Sequence, residues 1–301
     1  MKALNWITNR YVVSALCAAP ILLSSAYASA EDAAPAVTVA AAPAEPAPPY
    51  TLTFNLGLYS SYMFRGVDYS DGPALQGGID WAHSSGFYLG TWFSNLDPYA
   101  FGENDSAGTK GNQLETDFYG GYAHTFENGF GVNFLGNYYK YLEGRNSANN
   151  HKQDTFEASV ALSYKWFTYT YYNVLTDYYG QDEADNATLT VTGDRNTKYS
   201  DYHELKANYN LPIGDLGLMA KVGYQTTKNL QGDEGDWAIG LTRNFSLPTG
   251  GKPLEGFSAG ATATGTFAVK NQAYYTYTIG SSGETRKANE GKLWFFVKRS
   301  W

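Results

Sequence analysis

Apolar and polar residues alternate along most of this chain, and that alternation limits what it can fold into. Between residues 216 and 226, Leu216, Leu218, Ala220, Val222 and Tyr224 lie at every second position, and Gly217, Lys221, Gly223 and Gln225 lie between them. The same division recurs in 50–65, 113–126 and 155–166. Successive side chains of a β-strand point to opposite faces, so a period of two predicts strands with one apolar face. No apolar run after residue 30 approaches the ~20 residues of a membrane helix. The sequence therefore predicts an all-β fold of antiparallel strands.

The segments between these strands alternate in length. Short turns fall near 83–86, 127–129, 166–167 and 212–215, and long polar links near 95–112, 143–154, 180–198 and 229–235. Transmembrane β-barrels have short periplasmic turns and longer extracellular loops. The pattern predicts a transmembrane antiparallel barrel of about twelve strands, with both chain ends on the periplasmic side. A mean hydropathy of −0.39 fits a barrel, because half of each strand is polar.

The N-terminal segment 1–30 has the layout of a secretory signal peptide. Lys2 and Arg10 supply a basic region, an uncharged apolar stretch follows, and a small-x-small cleavage site ends at Ala30. An uncleaved membrane anchor is the alternative, although the apolar stretch is short for one. Cleavage after Ala30 would also remove the single cysteine, Cys17, so the mature chain would have no thiol chemistry.

The next segment, 31–49, is rich in alanine and proline and is predicted to be a flexible linker. A plug inside the fold is the other interpretation of this segment. The barrel would then occupy residues 50–301. Its last predicted strand carries Leu293, Phe295 and Val297 on one face and ends on Trp301. This ending resembles the terminal signature of bacterial outer-membrane barrels, which predicts that Trp301 is an insertion signal for the barrel-assembly machinery.

Whether a residue lies at an odd or an even position of its strand, called here its parity, also predicts which charged residues lie inside the barrel. In the stretch SSYMFRGVDYS, Tyr62 and Phe64 share the apolar face, which predicts that they face lipid, and Arg65 lies on the other face. A charge on the lipid face at mid-depth costs about 2–4 kcal/mol, so Arg65 is predicted to lie in the lumen near the extracellular rim. The predicted lumen charges are Arg65, Asp80, Glu115, Asp117, Glu157, Lys165, Glu204, Lys206 and Lys221.

Three segments resemble a known family: YMFRG at 62–66, PALQGGIDWAHSSGFYLGTWFSNLD at 73–97 and LETDFYGGYAHTF at 114–126. They are similar to Gcw_chp, the TorF family of the outer membrane of Gram-negative bacteria. The resemblance covers most of the mature chain and is densest over 59–140. The family usually has Gln-Ser or Gln-Thr after the Arg-Gly, whereas Tyr69-Ser70 stands nearby here. The resemblance implies an outer-membrane β-barrel with a pore.

Two functions fit these observations. The first is a porin-like channel for passive diffusion of small hydrophilic solutes, narrower than porins of sixteen to eighteen strands. Tyr59, Tyr119 and Tyr139 would point inward and could line a path for sugar-like or nucleoside-like solutes, or simply pack. Acidic residues slightly outnumber basic ones in the predicted lumen, which favours a weak preference for cations. The alternative is a closed structural or surface-recognition barrel with a filled polar core.

Other classes of function have little support in the sequence. An outer-membrane enzyme needs an orienting Ser–His or Asp–His group. His83 falls in a turn, His151 in a long loop, and His124 and His203 have lipid-facing parity. The formal charge of −8 becomes −10 without the signal peptide, which disfavours nucleic acid. We predict no catalytic residues, no cofactor and no metal; the predicted partners are outer-membrane lipid, lipopolysaccharide, the assembly machinery and a small hydrophilic solute.

Overall fold

The computed structural model describes residues 48–101, 108, 110–142, 151–181, 196–279 and 283–301. The predicted signal peptide and all but two residues of the predicted linker lie outside these ranges. The strands of the described part are β1 (Tyr50–Tyr59), β2 (Met63–Phe64), β3 (Val67–Asp68), β4 (Ala74–His83), β5 (Phe87–Asn95), β6 (Leu114–Thr125), β7 (Phe130–Tyr141), β8 (Thr155–Tyr164), β9 (Phe167–Val174), β10 (Asp201–Asn210), β11 (Leu216–Thr226), β12 (Glu234–Leu247), β13 (Leu254–Phe267), β14 (Thr276–Ile279), β15 (Glu284–Lys287) and β16 (Lys292–Ser300). Two 3₁₀ turns lie at Tyr178–Gly180 and Gln272–Tyr275.

Twelve of these strands close into one antiparallel barrel. Going around the wall, the order is β1-β16-β13-β12-β11-β10-β9-β8-β7-β6-β5-β4, and β4 pairs with β1 to complete the ring. The first and last strands of the chain therefore pair directly, with Leu58 opposite Val297. The two remaining hairpins, β2–β3 and β14–β15, stand apart from the wall. The predicted fold class and strand number are confirmed.

The connections differ between the two ends of the barrel, as predicted. At one end the turns are short: 84–86, 126–129, 165–166, 211–215 and 248–253. At the other end, the segments 60–73, 96–113, 142–154, 175–200, 227–233 and 268–291 join the strands. The chain enters β1 and leaves β16 at the short-turn end, where Trp301 and Phe54 exchange backbone hydrogen bonds of 3.0 and 2.9 Å.

The outer surface of the wall is apolar and the inner surface is polar. On β8, Val160 and Leu162 are exposed on the outside, while Thr155 and Glu157 are buried on the inside. This is the reverse of a soluble protein, and it fits a wall with lipid outside. Exposed aromatic rings collect near the short-turn end (Phe126, Phe130, Trp166, Phe167 and Trp301) and near the other end (Tyr138, Tyr171, Trp237 and Phe267). In the part of the chain described above, no helix is long and apolar enough to cross a membrane.

Two side chains that were predicted to face lipid lie inside the barrel. β1 ends at Tyr59, and the chain then turns inward before β2 begins at Met63. Tyr62 is only 7% exposed, and Phe64 packs against the aromatic core of the barrel. The lipid-facing prediction for these two residues is therefore wrong. The parity of β1 was extended past the point where the strand leaves the wall.

Candidate functional site

Residues 60–73, called here the lumen loop, fold into the barrel as a small hairpin. β2 pairs with β3, and the backbone N–H of Tyr69 donates to the carbonyl oxygen of Tyr62 at 2.8 Å. The two residues at the tip, Arg65 and Gly66, have φ values of 47° and 83°. A two-residue hairpin turn of this kind needs positive φ at both positions, which suits glycine well and an L-residue such as arginine poorly. Contacts of the Arg65 side chain must compensate for that backbone strain.

The Arg65 guanidinium reaches across the barrel to the opposite wall. It donates to both carboxylate oxygens of Glu157 on β8 at 2.9 Å, and to Gln225 Oε1 on β11 at 3.0 Å. The lumen loop starts from β1 and ends at β4, and in the ring order β1 lies opposite β9. Arg65 is 8% exposed and Glu157 is 3% exposed, so this is a buried ion pair. The loop therefore spans the lumen, and the pair fastens its tip to the far wall.

Aromatic rings surround the guanidinium. Its central carbon lies 4.8 Å from the ring centroid of Phe64, 4.8 Å from that of Tyr172 and 4.3 Å from that of Tyr202. Cations over aromatic faces at these distances are attracted by about 0.5–2 kcal/mol each. Arg65 thus contacts a carboxylate, an amide oxygen and three aromatic rings.

Gly66 lets the tip of the loop approach the wall. A Cβ atom placed there would lie 2.6 Å from Thr266 Cγ2 and 2.9 Å from Asp236 Cβ. Both distances are shorter than real Cβ contacts. The Arg-Gly pair therefore works as a unit: the glycine allows close approach, and the arginine supplies the anchor.

The half of the lumen at the end opposite the short turns is filled by aromatic side chains, called here the aromatic plug. Its buried members are Tyr59, Tyr62, Trp92, Phe101, Tyr139, Tyr141, Tyr178 and Tyr179. Tyr69 of the lumen loop packs edge-on against Phe101 with ring centroids 4.8 Å apart. Burial raises the pKa of the Tyr69 and Tyr179 hydroxyls, so these loop tyrosines stay neutral. Side chains from the loops and from the wall thus close this half of the barrel together.

Other predicted lumen charges form a network on β10, β11 and β12. Glu204 accepts from Lys206 at 2.8 Å and from Lys221 at 3.4 Å. Lys221 also lies 2.9 Å from Asp236, which accepts from the Tyr202 hydroxyl at 2.6 Å. These charges neutralise one another along one side of the lumen.

The opposite side of the lumen, formed by β4 and β6, carries the remaining acidic residues of the predicted set. Asp80 on β4 contacts Tyr119 and accepts from Asn55 at 3.4 Å. Glu115 and Asp117 lie at successive inward positions of β6, and both are 1% exposed. The inward tyrosines 59, 119 and 139 were predicted from parity, and Tyr59 and Tyr139 pack in the aromatic plug.

Lys165 was predicted to line the lumen, and this prediction is wrong. β8 ends at Tyr164, and Lys165 is an exposed residue of the two-residue turn at the short-turn end. Its backbone has a φ of 54°, and its amine lies 5.2 Å from the ring centroid of Tyr164. A turn residue has no fixed parity, so counting along the strand gave the wrong side.

A cavity of about 290 Å³ remains in the lumen next to Arg65. Its lining includes Lys206, Lys221 and Lys298, together with Trp294 and Phe296. Four lumen charges of the wall were missed, although parity could have found them: Glu234, Asp236, Lys292 and Lys298. Lys298 alternates with the outward residues of β16 in the same way as Trp294 and Phe296 do.

The histidines considered for catalysis lie away from the lumen. His83 and Ser85 contact each other at 2.7 Å between Nδ1 and Oγ, but His83 is the half-buried last residue of β4 and Ser85 is exposed in the short turn that follows. His203 lies on the outer face beside Tyr169, whose hydroxyl is 2.7 Å from its Nδ1. His124 is also exposed on the outer face. In the described ranges there is no group of three or more His, Cys, Asp or Glu residues able to hold a metal.

Comparison with known proteins gave matches to solved barrels and to one family. No curated protein matches the chain. A KdgM porin aligns with 9% identity over 83% of this chain and 99% of that chain, with a TM-score of 0.44. The outer-membrane protein OprD from Pseudomonas aeruginosa aligns with 12% identity over 83% of this chain and 66% of that chain, with a TM-score of 0.33. A family model described as "Bacterial protein of unknown function (Gcw_chp)" matches residues 43–301, which include every strand of the barrel.

Proposed function

Because this chain belongs to the Gcw_chp family and folds as a closed twelve-stranded barrel, we propose that it is an outer-membrane channel for passive diffusion of small hydrophilic solutes. The apolar outer surface and its two groups of exposed aromatic rings support insertion in a bilayer. The signal peptide, with cleavage after Ala30, would deliver the chain to the periplasm. The channel needs no catalytic residue and no cofactor.

The lumen loop is the observation that carries the channel proposal. The barrier across the lumen includes a loop that joins two wall strands. Its tip is held by Arg65 through the ion pair with Glu157 and the hydrogen bond to Gln225, and its return strand by ion pairs of Asp68 with Arg286 and Lys292. A loop can leave the lumen without breaking the hydrogen-bonded wall, whereas a core built only from wall side chains cannot. We therefore propose that the channel opens when Arg65 separates from Glu157 and the lumen loop moves.

The charge of the wall supports a preference for cations in the open state. Among the described residues of the twelve wall strands that face the lumen, seven are acidic and four are basic. The acidic set is Asp80, Glu115, Asp117, Glu157, Glu204, Glu234 and Asp236; the basic set is Lys206, Lys221, Lys292 and Lys298. When Arg65 leaves with its loop, Glu157 is exposed to the path. Carboxylates along a pore favour cations, so the preference would be strongest when the loop is out.

A closed structural barrel is the second candidate. The burial of the Arg65–Glu157 pair and the tight packing of the aromatic plug favour it. In that case the lumen loop would be a fixed part of a filled core, and no solute would pass.

Solute uptake by liposomes distinguishes the two candidates. The chain from residue 31 onward, refolded into liposomes, should admit small uncharged sugars and show a reversal potential of the sign expected for weak cation preference. Liposomes with the heat-denatured protein serve as the control. A change of gel mobility on boiling shows that the protein is folded. If folded protein gives neither uptake nor current, the closed barrel is the better account of the function.

A further inference from the structure

Two arginines of the wall face outward near the short-turn end. Arg243 on β12 alternates with the outward residue Leu241 and is exposed. Arg299 on β16 alternates in the same way with Val297. Ala259 of β13, the strand between them, pairs with Arg243 on one side and with Val297 on the other. The Cα atoms of the two arginines are therefore two strands and two residues apart, about 10 Å across the wall and about 7 Å along it.

Neither arginine has an acidic partner in the part of the chain that the structure describes. That part contains four arginines, and two of them, Arg65 and Arg286, form ion pairs with carboxylates. Among the same described residues, no carboxylate lies within ion-pair distance of Arg243 or Arg299. Arg299 Nε donates only to the backbone carbonyl oxygen of Glu255, at 3.2 Å. A charge on the outer face of a membrane wall then needs a counter-charge from its surroundings.

Aromatic rings hold Arg299 at the level of the lipid headgroups. Its guanidinium carbon lies 5.3 Å from the ring centroid of Phe257 and 5.5 Å from that of Trp301. Trp301 is one of the exposed rings that collect near the short-turn end, and such rings mark the interface between lipid and water. Phosphate groups are the anions of that interface, and a guanidinium can donate two parallel hydrogen bonds to one phosphate. Lipid phosphate is therefore the counter-charge within reach of both arginines.

An apolar surface extends from the two arginines toward the middle of the wall. Ala259, Ala261 and Ala263 face outward along β13 and are half-buried. Larger exposed side chains flank them, with Leu241 of β12 and Phe295 of β16 on either side of Ala261. The small side chains leave a shallow groove between the larger ones. An acyl chain can lie in this groove, whereas a free phosphate ion would gain nothing from it.

We propose that Arg243 and Arg299 bind the phosphate of one phospholipid in the leaflet at the short-turn end, with an acyl chain over the alanines of β13. Charge complementarity favours this occupant over a second copy of the chain, because a two-fold interface through this face would bring four arginines together. In the proposed orientation of the barrel this is the periplasmic leaflet. The site rests on the proposed insertion in a membrane, and it does not depend on whether the barrel conducts.

Native mass spectrometry of the purified barrel in detergent tests the site, with phosphatidylglycerol as the probe. The wild type should retain one lipid per chain. Arg243→Ala and Arg299→Ala should each weaken this binding by about tenfold, because each removes one charged donor to the phosphate. Lys165→Ala is the matched control, since it removes one exposed positive charge at the same end from a different part of the wall. The control should bind the lipid as the wild type does.

Arg299→Lys provides a variant that keeps the charge and loses the paired donors of the guanidinium. It should bind the lipid several-fold more weakly than the wild type, and it decides the result if Arg299→Ala does not fold.

Equal lipid binding by the wild type and the arginine variants would overturn the proposal. Displacement of the lipid by inorganic phosphate at the same concentration would also overturn it, because the patch would then bind any small anion. A dimer that is lost in the same variants would assign the face to a second copy instead. Gel mobility reports folding and the liposome assay reports conduction, so a failure of lipid binding is distinguishable from a failure of the channel proposal.

Discussion

Replacing Arg65 by alanine tests how the lumen is held closed. The change removes two hydrogen bonds of 2.9 Å to Glu157 and one of 3.0 Å to Gln225, and leaves Glu157 buried without a counter-charge. Removing one partner of a buried ion pair costs about 3–5 kcal/mol. The ring of Tyr172 also loses its cation, and that of Tyr202 keeps only Lys221, at 5.7 Å. The wall keeps its hydrogen bonds, so the loss falls on the docking of the lumen loop.

The loss of free energy that holds the lumen loop in place sets the expected change in the ratio of open to closed channels. Since 1.4 kcal/mol is a factor of ten, about 3–5 kcal/mol raises the ratio of open to closed channels by roughly two to three and a half orders of magnitude. The freed Glu157 should also raise the preference for cations. That second effect should shrink in 1 M salt, where the screening length falls to about 3 Å.

Planar-bilayer recordings across a salt gradient measure both quantities. Lys206→Ala is the matched control, because it removes a lumen charge from the wall and not from the loop; it should leave the open fraction nearly unchanged. Glu157→Gln should open the channel as well, and the double variant should add little to either single change. An Arg65→Ala barrel that is less stable but has an unchanged open fraction would refute the reasoning and place the pair in a filled polar core.

Three further outcomes are expected. Gly66→Ala should also raise the open fraction, because its Cβ would meet Thr266 at 2.6 Å, but it should leave ion selectivity close to the wild type; bilayer recording checks both. Deletion of Trp301 should lower the amount of folded barrel in cells and leave refolding into detergent largely intact. This residue is 57% exposed and contacts the wall mainly at Phe54, so its loss should change the stability of the finished barrel little. An equal yield of folded barrel in cells would contradict this prediction. Intact-mass analysis of outer-membrane protein should give a chain that begins after Ala30, and a product found in the soluble periplasm would contradict the predicted export.

Alternation in the sequence was enough to predict the wall of the barrel. A strand between water and lipid must keep its parity over its full length, because a slip by one residue would place Glu157 or Lys221 in lipid. Positions such as Asp80, Asp117 and Glu204 therefore followed from counting. The alternation of loop lengths gave the strand number in the same way, since each hairpin contributes one short turn.

The interior arrangement could not be predicted by counting. Tyr62 and Phe64 continue the parity of β1, yet the chain leaves the wall after Tyr59 because Arg65 finds its carboxylate on β8, a partner 92 residues away in sequence. Lys165 fails for a related reason, since it lies in a turn. Which residues meet across a lumen depends on barrel closure, and no local pattern records that.

Single-channel recording with and without the β2–β3 hairpin tests the central claim, that the lumen loop closes the channel. In the variant, two glycines replace residues 63–68, and the wall is untouched. The wild type should show rare openings, and the variant should be open nearly all the time at the same current level as the wild-type openings. A folded variant that is as silent as the wild type would contradict the account, because wall side chains and the other loops, and not the lumen loop, would then close the lumen.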